Sequence, residues 1–457
     1  MSLDNLPVEW CLIQLGHIVN VNSGVGFPKE FQGRTDQPIP VYKVSDVSYS
    51  VLNQNGMLQT ANNSVSQGDL DKLKGHLFNE GSTLFAKIGE AVKLNRRAYV
   101  KRKGLADNNV MGVTPLENVS NKYIFYFLHT IDLALHSRST TIPSIRKSDI
   151  EELPISFPAL AEQQEIVRQL DIMLAQVEQI KARLDAIPAI LKKFRQSVLA
   201  DAVSGKLTEE WRNNQADISS WTFGELREFI EKPIYGTSAK SSKSGEVPVL
   251  RMGNLQNGEI DWSDLVYTSD ATEIKKYDLK LNDLLFNRTN SPELVGKTSI
   301  YRGNRDAVFA GYLIRVRCLP SLDPEFLNYH LNSHIGREYC YRVKTDGVSQ
   351  SNINAQKLLA YPLNCPPVNE QKIIVKLVKQ YLELIHRIEE IIRSAQKRVN
   401  LLTQSILGKA FSGELTAEWR QQHQELITGI NSAESLLAAI QAEREASKPV
   451  KKVKKVK

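Results

Sequence analysis

Between residues 374 and 406 the apolar positions are Ile374, Val378, Tyr381, Ile385, Ile388, Ile392, Ala395, Val399, Leu402 and Ile406, a strict alternation of four- and three-residue steps. An α-helix gathers that spacing into one seam. The seam occurs a second time. With Glu162-Gln163 set against Glu370-Gln371, an offset of 208 residues, the equivalent positions are Ile166, Leu170, Met173, Val177, Ile180, Leu184, Ile187, Leu191, Phe194 and Val198, all apolar. The match needs no gap as far as Trp211-Arg212 and Trp419-Arg420, so the chain carries an internal duplication. Two seamed helices in one polypeptide predict an intrachain coiled coil; the plainer alternative is that each helix packs only on its own domain. At about 1.5 Å per residue the seam makes a rod of about 50 Å. Pro188 is expected to kink the first helix, whereas its counterpart Gln396 leaves the second straight. After each seam comes Ser-Gly-x-Leu-Thr, with Gly205 and Gly413 placed to end the helix in a left-handed conformation.

The remainder reads as two modules of similar size. In the first, Val41 to Val44, Thr83 to Ala86 and Arg97 to Val100 are short β-like runs between Gly- and Asn-rich turns, followed by a helix over 123–135. In the second, strands are predicted over Pro248 to Met252, Leu284 to Asn287 and Ala307 to Val316, with a helix from Pro324 to Tyr341. Framework positions recur: Trp10 and Leu15 match Trp221 and Leu226, Pro40-Val41 matches Pro248-Val249, Leu84-Phe85 matches Leu285-Phe286, and Ile145 matches Ile353. The loops differ. Two modules that recognise different targets would look like this, as would any diverged duplication. The layout is α+β, with domains over 1–157 and 213–365, helical segments over 158–212 and 366–420, an extension over 421–447 and a tail over 448–457. In the extension, Ser432 to Glu445 is predicted to be a capped helix with Leu436, Leu437 and Ile440 on one face, able to pack on the rod or dock a partner.

Composition changes this picture little. The chain has 457 residues, too many for one core. Its net charge of +7 resembles a nucleic-acid signature, but six lysines lie in the tail Lys448 to Lys457, and without them the balance is +1. Any basic face must therefore be local. The tail reads as a solvated polycation or a non-specific phosphate contact. Four scattered cysteines, Cys11, Cys318, Cys340 and Cys365, argue for a reducing compartment and against a zinc site. His330 and His334 read as a surface helix rather than a metal site. With no membrane-length apolar run and no signal-peptide core, the expected location is the cytoplasm.

Local basic clusters do occur. Lys93, Arg96, Arg97, Lys101, Arg102 and Lys103 crowd one strand pair around Tyr99; in the second module Arg288, Lys297, Arg302, Arg305, Arg315 and Arg317 occupy the corresponding region near Asn287, Asn290 and Gln350. Arg, Asn and Gln make paired contacts to purine edges, while Lys chiefly neutralises phosphate. The candidate DNA-contacting set is Lys43, Lys87, Lys93, Arg96, Arg97 and Asn108 in the first module, and Arg251, Asn254, Arg288, Asn290, Lys297, Gln350 and Asn352 in the second. An ordinary solvated face is the competing reading. Catalytic signatures are missing. Cys365-Pro366-Pro367-Val368 lacks the flanking residues with which an amino-methyltransferase holds a flipped base, and it reads as a helix start. Gly24-Val25-Gly26 is too short for a dinucleotide loop and reads as a turn.

The order of parts resembles the specificity subunits of type I restriction-modification enzymes. Leu153-Pro154-Ile155 leading to Pro158 and Glu162-Gln163-x-x-Ile166-Val167, and Tyr361-Pro362-Leu363 leading to Pro366-Pro367 and Glu370-Gln371-x-x-Ile374-Val375, are similar to the start of that family's helices. Ser197 through Gly205-Lys206-Leu207-Thr208 to Trp211-Arg212, and Ser405 through Gly413-Glu414-Leu415-Thr416 to Trp419-Arg420, are similar to their end. Thr141-Ile142-Pro143 departs from the Gly-Ser/Thr-type loop of many members.

The resemblance implies an α+β fold of two target-recognition domains separated by an antiparallel two-helix coiled coil with pseudo-twofold symmetry. Each domain would read one half of a split, asymmetric site in double-stranded DNA. The chain itself would be non-catalytic and hold no cofactor or metal. Two modification subunits, using S-adenosylmethionine to methylate adenine, and two restriction subunits, using ATP and Mg, would be its partners. A coiled-coil scaffold binding only proteins is the alternative from another class.

Overall fold

A computed structural model describes residues 6–137, 143–215 and 220–446. Thr141 and Ile142 of the departing loop and the lysine tail lie outside the described residues. The chain forms two compact units, one of residues up to 182 together with those from 396 onward, the other of residues 183–395. Each unit contains one α+β module and the helical stretches packed on it.

In the first module a five-stranded sheet runs in the order Val19–Ser23, Val110–Pro115, Thr83–Ala86, Arg97–Val100, Met57–Leu58. Beside it Ile39–Tyr42 pairs antiparallel with Ser64–Val65 and parallel with Leu105–Ala106. The second module repeats the plan. Leu284–Asn287 lies between Leu313–Val316 and Thr298–Ile300, and Val247–Leu250 pairs antiparallel with Val266–Thr268 and parallel with Val308–Phe309. Two predicted elements are broken in the structure. The strand expected over Ala307 to Val316 is two, Val308–Phe309 and Leu313–Val316, and the helix expected from Pro324 to Tyr341 is Pro324–Asn332 followed by His334–Val343. Ser333 causes the second break: it is extended and buried, and its hydroxyl accepts from Gly336 N to start the next helix. The first module's helix also stops early, spanning Asn121–His129.

The two long helices span Leu160–Val203 and Val368–Ser412, and the first continues through Pro188. In the first unit Ile166, Leu170 and Val177 share a core with Ile406, Leu407, Ala410 and Phe411. In the second, Val198, Leu199 and Ala202 pack with Ile374, Val375 and Val378, and Leu191 with Ile385 and Ile392. The start of one helix thus lies with the end of the other in both units, which is the antiparallel pairing. The seam is only partly dry. Met173, Leu184 and Ile388 are half-buried, while Ile180 is 45% and Tyr381 37% exposed, as are Phe194 and Leu402 on the same stripe. Two helices alone cover a narrow strip, in which Leu191, Ile385 and Ile392 are buried, and burial is broader where a module adds a third layer.

The duplicated motif at the helix ends closes crosswise. In the first unit buried Glu162 accepts from Trp10 Nε1 (2.8 Å), Thr416 Oγ1 (2.7 Å) and Arg420 Nε (2.9 Å), and Arg420 also donates to Gly413 O (2.6 Å). In the second, buried Glu370 accepts from Trp221 Nε1 (2.9 Å), Thr208 Oγ1 (2.6 Å) and Arg212, which also donates to Gly205 O (2.5 Å). The left-handed φ of Gly205 (80°) and Gly413 (85°) turns each carbonyl toward its arginine. The helix start of one repeat is therefore clasped by the helix end of the other. The neighbouring glutamines fasten the modules: Gln163 Oε1 accepts from Ser120 N (3.0 Å) and Gln371 Oε1 from Asp323 N (2.6 Å).

The C-terminal helix, Ala433–Ala446, packs back on the first unit through Leu436, Leu437 and buried Ile440, and Arg444 donates to Gly16 O. His330 is not on a surface helix. It is buried against Tyr361, while in the first module His129, which has no histidine counterpart in the second, is largely covered and packs against the Phe125 ring. Burial lowers both imidazoles to a pKa of about 4, against about 6.5 when solvated. The unfolded chain then binds more protons than the native one between these values. Stability from the neutral histidines is full above pH 6.5 and is lost as pH falls toward 4. The urea midpoint should decline across that window; a midpoint flat from pH 6.5 to 4.5 would contradict this burial.

Among the described residues no cluster of three or more His, Cys, Asp or Glu side chains could hold a metal ion. No described helix is long and apolar enough to cross a membrane.

Candidate nucleic-acid interface

Each module brings a pair of cations to the same place in its scaffold. Lys43 and Arg251 directly follow equivalent strands, and each backbone N–H is held at 2.8 Å by the side chain three residues on, Asp46 or Asn254. Lys87 and Arg288 end the equivalent central strands. Lys87 N donates to Asn109 O (2.9 Å) and its carbonyl accepts from Ile145 N (2.9 Å); Arg288 N donates to Tyr312 O (3.0 Å) and its carbonyl accepts from Ile353 N (2.8 Å). This shared register places the cations, and the loops around them supply the differences.

In the first module the loop is Asp107-Asn108-Asn109. Asp107 is buried, takes Asn109 N at 3.0 Å, and lies within the fields of both Lys43 and Lys87. Burial raises its pKa, which the Asn109 N–H and the two lysines oppose. Asn108 is exposed, and Lys43 Nζ sits 5.2 Å from the Phe27 ring centre. In the second module the equivalent loop is Ala310-Gly311-Tyr312, which has no acid. There Arg251 and Arg288 line a groove of about 540 Å³ with Thr237, Ser238, Ser241, Thr289 and Tyr312. Arg251 Nη2 is tied to Asp264 (2.9 Å), and Arg288 lies 4.7 Å from the Tyr235 ring centre. The Nε atoms of both arginines are buried without a hydrogen-bond partner.

Other candidates gather near Arg288. The strand Thr289–Asn290 pairs with Ser351–Asn352, and exposed Gln350 is in the adjoining turn. Asn352 Nδ2 donates to Thr289 Oγ1 (2.8 Å), and Asn290 Oδ1 accepts from Ser291 N (2.8 Å). Lys297 contacts Gln256 (3.4 Å), and burial lowers its pKa. Lys93 is exposed beside Glu90 (2.9 Å), and Arg96 is half-buried.

Two candidates have no free donor surface. Arg97 is buried, gives its guanidinium N–H groups to Asn95 O and Ile131 O, and has its pKa lowered to about 10 by desolvation. Asn254 is buried and gives both amide hydrogens to Asp261 O and Asp264 O. Both hold their own module together. The same correction applies to much of the second basic cluster: Arg302 pairs with Glu259 and Glu325, and Arg315 and Arg317 pair with Asp283.

Sequence reasoning missed Asp107, Thr237 and Tyr312. The signal was present in Gly24, which reads as a turn, and in Gly236, which carries no reading from the sequence. A Cβ on Gly24 would lie 1.9 Å from Asp107 O, and one on Gly236 2.3 Å from Ala310 O, so both mark a close backbone crossing at the floor of the site. Gly236→Ala should displace the Ala310-Gly311-Tyr312 loop at a cost of about 1–3 kcal/mol. A melting temperature and DNA affinity both equal to wild type would show that the crossing is unimportant.

The type I restriction modification DNA specificity domain model matches residues 7–189 and 218–395. The chain is 31% identical over 460 residues to the EcoKI specificity subunit of Escherichia coli K12, covering 98% of both chains. It is 32% identical to the StySPI specificity subunit of Salmonella potsdam, with the same coverage. Among solved structures, a chain from a study of assembly and conformational transition in a type I restriction-modification system superposes with a TM-score of 0.68 at 18% identity, covering 90% of this chain and 99% of that one. The HsdS subunit from Thermoanaerobacter tengcongensis gives 0.58 at 18% identity, covering 90% and 98%.

Proposed function

The chain belongs to the type I restriction-modification DNA specificity family, and on that premise we propose that it is the non-catalytic subunit that reads a bipartite, asymmetric double-stranded DNA site in the cytoplasm. The observation that carries this reading is the repeated placement of a cation pair, Lys43 with Lys87 and Arg251 with Arg288, on one scaffold whose surrounding loops differ. Equal scaffolds fix where DNA lies; unequal loops decide which bases fit. Lys93, Arg96, Asn108, Asn290, Lys297, Gln350 and Asn352 complete the proposed contact set.

Two modification and two restriction subunits would assemble on the chain, supplying S-adenosylmethionine, ATP and Mg chemistry that it does not itself hold. The long helices leave large apolar side chains in solvent, among them Ile190, Ile391 and Leu401 at 60 to 70% exposure, and protein partners would cover them. Footprinting of the complex with its modification subunits, together with mapping of methylated adenines, should give a two-part consensus. Binding without sequence preference would instead favour a coiled-coil scaffold that joins proteins only.

A further inference from the structure

We propose that Arg288 is a specificity-determining residue of the second module, reading a guanine in its half-site, while the equivalent Lys87 supplies charge alone in the first. This rests on the DNA-reading function and goes further by assigning one side chain to one base.

The argument begins with how firmly Arg288 is held. Its backbone is fixed on both sides by hydrogen bonds to Tyr312 and Ile353, its guanidinium is backed by the Tyr235 ring, and Tyr235 is itself anchored by accepting from Ala355 N (2.9 Å). A preset guanidinium loses little freedom when it engages a planar acceptor pair. Its donors are also underused. Nη1 makes only a long contact with Gly311 O (3.4 Å), and no acid lines the groove. Of the other arginines in the cluster, Arg302, Arg315 and Arg317 are in ion pairs and Arg305 lies over the Trp262 ring, away from the groove lining; Arg251, which does line the groove, is tied to Asp264. Arg288 therefore combines a fixed position with free hydrogen-bonding capacity.

The chemistry then selects the base. A guanidinium fork matches the two acceptors, O6 and N7, that guanine presents in the major groove; adenine and cytosine place an amino donor there, and thymine has a single acceptor. A lysine has no fork. Lys87 also lies in the field of a carboxylate, Asp107, where the second module has Ala310. The same scaffold position is thus equipped for base reading in one module and for charge in the other.

The test uses the complex of the full chain with its modification subunits, binding a randomised duplex library at fixed salt. Arg288→Lys keeps the charge and should erase a guanine preference at one position of the second half-site, weakening the selected site by about 10- to 100-fold while leaving binding to unrelated duplex within about twofold. Arg288→Gln should move the preference at that position toward adenine, the partner of an amide side chain. A consensus unchanged in both variants would overturn the assignment. So would equal weakening on all duplexes with a shallower salt dependence, the signature of a phosphate contact. A wild-type complex that selects no bipartite sequence would overturn the DNA-reading function as well, an outcome distinct from the other two.

Discussion

Glu162→Ala is expected to destabilise the first unit by about 3–5 kcal/mol, because it leaves a mostly buried cation without its counter-charge. Glu162 is the shared acceptor for Trp10, Thr416 and Arg420, and the Arg420 side chain is only 11% exposed. Truncation strands all three donors at once, whereas Glu162→Gln keeps an acceptor oxygen and should cost less. The effect should also be local. Hydrogen exchange should accelerate in residues 6–20 and 396–420 while residues 221–260 keep their protection. Glu370→Ala should give the mirror result, loosening the surroundings of Trp221. A loss below about 1 kcal/mol, or acceleration spread evenly over both units, would show that the clasp does not hold the helix ends.

Ile385→Ala is the second large effect, at about 2–5 kcal/mol. Ile385 is fully buried in a small cluster with Leu191 and Ile392, flanked by Ile187, Leu382 and Ile388, so no neighbouring core can collapse into the space it leaves. Ile180→Ala, on the same predicted stripe but 45% exposed, should change stability by less than about 0.5 kcal/mol. The heptad pattern treats the two residues as equals; urea titration of both variants separates them. Similar losses from both would mean that the stripe is buried along its whole length, contrary to the structure.

That contrast shows what the sequence could and could not reveal. Periodicity and the 208-residue offset exposed the duplication, the helices and their pairing, because these depend on local spacing and self-similarity. They did not reveal how deeply each seam position is covered, since burial at Ile166 or Ile374 requires a module folded against the helix. The basic residues were legible as types but not as roles. Arg97 and Asn254 carry the right chemistry for DNA and use it on their own backbone, a distinction set by partners that no local pattern identifies. The equivalence of Lys87 with Arg288 was open to inspection through Leu84-Phe85 and Leu285-Phe286, yet only the shared hydrogen-bond register makes it firm. Trp211-Arg212 and Trp419-Arg420 were recognised as helix ends. That each seals the opposite repeat follows from contacts between residues far apart in the chain.

The crosswise clasps also set an order of maturation. Arg212 and Glu370 are separated by 158 residues, whereas Glu162 must wait for Arg420, 258 residues later. At synthesis rates of about 5–20 residues per second, the wait for Arg420 lasts roughly 10–50 seconds. The module that leaves the ribosome first is therefore the last to be sealed, and until then Ile166 and Leu170 lack the Ile406-to-Phe411 surface they finally meet. Through that interval the first long helix rests on its own module alone, with the side destined for the second helix still open to water.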